Sequence, residues 1–136
     1  MAKIPQEVQD AFTRVRAVVL GTADKIGQPN GCVVAMKKVI DDETVYLSDQ
    51  FFKKTLANLE TNPKFSIAFW DDESAYQIHG TAHYVNEGAD FEEQKAWVDA
   101  LFVQMGAHIV AKGGIFVTVD SVYEMKGGPT AGDQIA

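Results

Sequence analysis

The chain has 136 residues, 46% of them apolar and 23% charged, which are the proportions of one globular domain with a core large enough to need no disulfide or metal staple. Its net charge of -7, with 12 basic residues scattered along the chain, excludes a duplex nucleic-acid binder. The single cysteine, Cys32, excludes an intrachain disulfide; no segment approaches the ~18 apolar residues of a membrane span, and MAKIPQEVQDAF holds no secretory apolar run, so a cytoplasmic location is expected.

Residues 4–14 (IPQEVQDAFTR) put Ile4, Val8 and Ala11/Phe12 on one stripe and read as a short helix. RAVVLGTAD, 16–24, reads as a strand, and KIGQPN turns on Gly27 and Pro29. GCVVAMKKVI, 31–40, reads as one further strand, and after the polar DDE comes TVYLSD, 44–49, the next. Residues 51–61 read as a helix with Phe52, Leu56 and Leu59 on its stripe, stopped by Asn62-Pro63. KFSIAFWD, 64–71, and AYQIHGTAHYV, 75–85, read as antiparallel neighbours across DDES; Gly80 marks a bulge or a close backbone approach. The longest helix, 89–106, is predicted to bury Phe91, Val98, Leu101, Phe102 and Met105, and carries Asp90, Glu92 and Glu93 where the helix dipole favours them. GIFVTVDSVYEM, 114–125, is the last strand, and KGGPTAGDQIA reads as a loose tail. The domain is therefore set at 1–126 and the tail at 127–136. Strands joined mostly by short turns, with helices between some of them, argue for a mainly β (α+β) fold: an antiparallel β-barrel with helical insertions.

The helix at 51–61 breaks the dipole rule that the long helix obeys. Lys53, Lys54 and Thr55 occupy its first turn, and a cation there costs about 0.3–1 kcal/mol when exposed. A bound anion reverses that sign: free N–H groups, the Thr55 hydroxyl, Ser48 just ahead and two ammonium groups together suit a phosphate. Asp49 either caps the helix or neutralises one lysine and spoils the site. The alternative is that both lysines point into water.

Other constellations carry less. His79 and His83, four apart on a strand, stand about 13 Å from each other, too far to share an ion. Asp41-Asp42 and Asp71-Asp72 read as solvated turn residues, and neither a G-x-S-x-G stretch nor a Gly-rich phosphate loop is present. Trp70, Trp97 and Tyr76 suit a flat aromatic ligand, or core and interface packing.

Taken in order, VVLGTAD, KIGQPN, CVVAMKK, TVYLSD, FFKKTLANLETNP, KFSIAFWD and YQIHGTA resemble the pyridoxamine 5'-phosphate oxidase-like FMN-binding split-barrel family over roughly residues 4–86, with VYEMKGG also similar. The resemblance implies a split barrel in which Lys53 and Lys54 grip the flavin phosphate with help from Thr55 and Ser48. It places Val33, Val34, Ala35 and Lys37, with Leu47 alongside, against the flavin ring and ribityl chain, and makes Gln77 a polar ring contact. It implies a homodimer with FMN at the subunit interface. The histidine spacing leaves no metal site expected, and with the flavin carrying the chemistry no side chain need act as acid or base. True oxidases of the family are longer and hold the substrate phosphate with C-terminal arginine and histidine; here Arg14 and Arg16 are the only arginines. The expectation is thus a small FMN-dependent redox protein rather than a vitamin-B6 oxidase. Its alternatives are a deazaflavin-dependent reductase and a non-enzymatic flavin or haem binding module.

Overall fold

A computed structural model describes residues 2–136. Its elements are α1 (Gln6–Arg14), β1 (Val18–Ala23), β2 (Pro29–Val34), β3 (Lys37–Asp41), β4 (Thr44–Asp49), α2 (Lys54–Thr61), β5 (Lys64–Trp70), β6 (Ala75–Val85), α3 (Ala89–Gln104) and β7 (Gly113–Glu124). The strands form one antiparallel sheet in the order β2-β1-β5-β6-β7-β4-β3, curled into a split barrel.

The single strand expected at 31–40 is two. Val34 pairs with Val18 of β1 at one end of the sheet, and Lys37 pairs with Leu47 of β4 at the other. Ala35 and Met36 therefore step across the split, and the Ser48 N–H donates to the Met36 carbonyl at 2.9 Å to pin the crossing. Val34 and Val39 both pack on the core although they stand five apart, so the crossing at Ala35 and Met36 also reverses which face of the chain turns inward. This crossing leaves backbone and side chains at the seam partly uncommitted to a ladder.

The core is the barrel interior. Leu20, Val45, Leu47, Ile67, Ile78, Ile115, Val117 and Val119 are fully enclosed, and α1 adds Val8 and Phe12, whose ring meets Phe69 edge-on at 5.4 Å. The α1 stripe is as the sequence predicts, Ile4 included, although the helix begins after Pro5. Gly80 sits at a register shift in β6 opposite β7, the bulge the sequence predicts. On α3, Phe91, Val98 and Phe102 are buried, but Met105 is 67% exposed because the helix ends at Gln104 and the chain turns through Gly106 at φ 72°.

The tail is not loose. Beyond Thr118, β7 has lost β4 as a neighbour, and the last residues fill that vacant edge. Ile135 N–H donates to the Val122 carbonyl at 2.8 Å, Val122 N–H to the Ala136 carbonyl at 2.9 Å, and Glu124 N–H to the Asp133 carbonyl at 2.9 Å. Gly and Pro in KGGPTAGDQIA build the turn that makes this return possible rather than marking disorder.

Asp71 opens the β5–β6 turn. Its Oδ2 accepts from Arg14 Nε at 2.6 Å and its Oδ1 from the N–H groups of Glu73 and Ser74, both at 2.9 Å. The Arg14 bond, then the backbone donors, bring its carboxyl down to about 2 from an ordinary 3.8. The folded value lies below the unfolded one, so the stabilisation is present above the unfolded value and is lost as pH falls through about 2. A side-chain NMR titration is expected to show the Asp71 midpoint near 2 and to move toward 3.8 in Arg14→Gln. An unchanged midpoint in that variant would remove the guanidinium from the account.

Candidate functional site

The seam borders a cleft of about 470 Å³. One wall is Asn30 to Met36, the end of β2 and the crossing. The other is Ser48 of β4 and Gln50 just beyond it, then Phe51 to Thr55 leading into α2; Phe102 of α3 and Met105 just past it also line the cleft. Strand alternation explains the first wall: Val34 turns into the core, 3% exposed, whereas Val33 turns out, 73% exposed.

Seven residues placed in the site from the sequence meet here: Val33, Val34, Ala35, Ser48, Lys53, Lys54 and Thr55. Three do not. Leu47 is wholly buried, because every side chain from Val45 to Leu47 is enclosed where β4 runs between β3, β7 and α3. Lys37 is turned to the helix side, its ammonium 5.2 Å from the Phe12 ring centre, and half-burial lowers its pKa. Gln77 lies on β6 with its carbonyl 2.7 Å from His79 Nε2, on strands that do not border the cleft. Trp70 is exposed, Trp97 lies 5.0 Å beneath the Lys38 ammonium and Tyr76 packs on Phe69, so these rings do not assemble into one site.

Charge is the cleft's distinguishing property. Among its lining residues there is no carboxylate and no histidine, in a chain with 19 acidic residues. Lys53 and Lys54 are exposed and, among the described residues, neither is in an ion pair. Lys53 stands at the N-cap of α2 (φ −129°, ψ −81°); no side chain caps the helix and its first turn holds no acid. Two cations thus add to the dipole of an uncapped helix start.

Asp49 takes neither role open to it in the sequence. It is fully buried, with Oδ1 accepting the Phe52 N–H at 2.8 Å and Oδ2 accepting the Tyr84 hydroxyl at 2.6 Å. Its cation is Lys112, at 3.8 Å, and both cleft lysines are left to other use. Burial, then the bond to Asp49, pushes the Tyr84 phenol up. Thr55 and Ser48 are also committed within the protein: the Thr55 hydroxyl donates to Cys32 Sγ at 3.3 Å and accepts from Asn30 Nδ2 at 3.2 Å, and Ser48 Oγ accepts from Gln50 Nε2. Burial raises the Cys32 thiol's pKa, so it stays protonated and is a poor nucleophile.

Sequence reasoning did not assign Asn30, Gln50, Phe51, Phe102 or Met105 to the site. Asn30 read as part of a turn, and the two α3 residues as core, since a helical stripe gives no sign of where the core ends. Phe51, an aromatic off the Phe52–Leu56–Leu59 stripe and just ahead of two lysines, is the signal that was available, and it is 73% exposed.

The chain has the split-barrel architecture with an anion-favouring cleft at the split. It belongs to the pyridoxamine 5'-phosphate oxidase family, whose model matches residues 4–126, ending where the returning tail begins. It is 33% identical over 122 residues to the uncharacterised protein MJ0282 of Methanocaldococcus jannaschii, spanning 88% of this chain and 79% of that one. HupZ from Group A Streptococcus superposes with a TM-score of 0.78 at 30% identity, over 95% of this chain and 99% of that one. An FMN-binding protein from Syntrophomonas wolfei subsp. wolfei shares the fold with a TM-score of 0.70 at 19% identity, covering 90% and 89%.

Proposed function

We propose that this protein is a small FMN-binding redox protein that seats the cofactor phosphate at Lys53, Lys54 and the first N–H groups of α2. The observation that carries the reading is the carboxylate-free cleft lined by two lysines and otherwise largely by apolar side chains and backbone. A ligand that joins a dianion to a flat apolar ring suits that lining. The Syntrophomonas relative, named for FMN binding, supports it.

In this reading Val33, Val34 and Ala35 give the ring and ribityl chain an edge of backbone and aliphatic surface, and Phe51 and Met105 close over it. Bound flavin supplies the one- and two-electron chemistry; the chain's own residues bind, orient and exclude water. Ser48 and Thr55, already bonded to Gln50 and Cys32, hold the walls, so the phosphate load falls on the lysines and the helix. Lys37 and Leu47 have no part in it. Val33, Phe51 and Met105 are each at least two-thirds exposed around the cleft, and a second copy of the chain is proposed to cover them, with its Gln77 reaching the ring. The family's name-giving oxidation is not proposed: no arginine lines the cleft to hold a second phosphate. Absence of histidine from the lining favours flavin over haem. Among the described residues no helix is long and apolar enough to cross a membrane.

The test is a pair of fluorescence titrations, with FMN and with riboflavin. FMN is expected to bind at micromolar concentrations or tighter, and riboflavin at least about 100-fold more weakly. Equal affinities would overturn the phosphate assignment.

A further inference from the structure

Among the described residues Asp49 is the one carboxylate the fold buries completely, and it does not line the cleft. A buried acid is an uneconomical way to stabilise a fold, since apolar replacements of similar size are often neutral or better. What it touches is more informative. The Phe52 N–H donates to Asp49 Oδ1 at 2.8 Å, and the Phe52 carbonyl accepts from Lys112 Nζ at 3.0 Å. The same ammonium lies 3.8 Å from Oδ1, closing a triangle around one residue. Tyr84 holds the second carboxylate oxygen, and the Lys112 N–H donates to the Asp49 carbonyl at 2.9 Å. Both polar backbone groups of Phe52 are therefore gripped, and Phe52 immediately precedes Lys53.

We propose that Asp49 is a positioning residue for the anion site: with Lys112 and Tyr84 it fixes Phe52, and so aims the Lys53–Lys54 pair and the start of α2 at the cleft. The inference rests on the reading of that cleft as a phosphate site and assigns the orientation of its cations to a group that never touches the ligand. A misplacement of about 1 Å at a charged anchor is enough to cost most of its benefit.

The experiment titrates the full chain and two variants, Asp49→Ala and Lys112→Met, with FMN and with riboflavin, alongside thermal melts. Loss of positioning is expected to weaken FMN at least about tenfold in both variants while riboflavin changes less than about twofold. The substitutions change the charge near the cleft in opposite directions. A pure field effect would tighten FMN in Asp49→Ala and weaken it in Lys112→Met, and that pattern would overturn the proposal. A lowered melting temperature with an unchanged FMN-to-riboflavin ratio would also overturn it, leaving a network that only supports the fold. If Asp49→Ala does not fold, Lys112→Met decides at two ionic strengths: a loss that persists at about 0.5 M salt supports positioning, and a loss that disappears there refutes it. Failure of the parent reading looks different, because wild type itself would then show no preference for FMN, and the inference falls with it.

Discussion

Gly80→Ala is expected to remove about 3 kcal/mol of folding stability, a large share of the 5–15 kcal/mol typical of a domain. An added Cβ would lie 2.6 Å from the Thr118 carbonyl oxygen and 2.9 Å from Phe65 Cζ. Neither neighbour is a flexible end. Thr118 is held between Thr81 of β6 and Thr44 of β4, and the Phe65 ring belongs to the barrel core. The methyl therefore has to push apart β6 and β7, the most extensively paired strands of the sheet. Gly31→Ala is the control: it is also a strand glycine, but its added Cβ would meet only Val19 Cγ1, at 3.8 Å. That variant is expected to stay within about 1 kcal/mol of wild type. Urea unfolding of the three proteins checks the contrast, and equal midpoints for both alanine variants would refute the close-packing account.

Gly80 was legible in the sequence because glycine inside an alternating strand has few physical reasons to be there. The barrel was legible in the same way, through alternation in AYQIHGTAHYV and short turns between strands. The division of 31–40 into β2 and β3 was not, since every residue from Cys32 to Met36 is apolar and hides the change of face between Val34 and Val39, which both pack on the core but stand five apart. β1 claims the first half and β4 the second, a tertiary pairing that the apolar run does not announce. The tail failed for a related reason. Gly127, Gly128, Pro129 and Gly132 describe a chain that turns, and only the vacant edge of β7 decides that it turns back onto the sheet.

Within the site, legibility followed charge. Lys53 and Lys54 stood out because they contradict a local electrostatic rule, and local rules are broken where a ligand restores the balance. Asp49 was ambiguous because its partners, Tyr84 and Lys112, are 35 and 63 residues further along the chain. Leu47 and Lys37 were assigned through the family resemblance, as largely backbone contacts; in this fold the Leu47 side chain is enclosed and the Lys37 ammonium lies over Phe12.

The lysine pair gives the second large effect, and its sign differs between the free and the loaded protein. Replacing both Lys53 and Lys54 by alanine is expected to weaken FMN binding by somewhat less than the 3–6 kcal/mol, roughly 10²–10⁴-fold, that about 1.5–3 kcal/mol for each charge-assisted contact would sum to. Because both ammonium groups address one dianion, the double loss is expected to fall short of the sum of the single losses. Riboflavin affinity should stay near that of wild type, since the apolar lining of the cleft is untouched. The free protein should respond the other way. Both side chains are exposed and, among the described residues, neither is in an ion pair, so their removal breaks no described ion pair and relieves two cations at an uncapped helix start, a gain of up to about 1 kcal/mol. Melts of the two proteins, with and without saturating FMN, separate these effects. The variant should melt at or slightly above wild type when free, and well below it when FMN is added, because only wild type gains stability from the ligand. A double variant that melts lower when free and keeps its FMN affinity would mean that the lysines serve the helix rather than the cleft, and the phosphate site would have to be sought elsewhere.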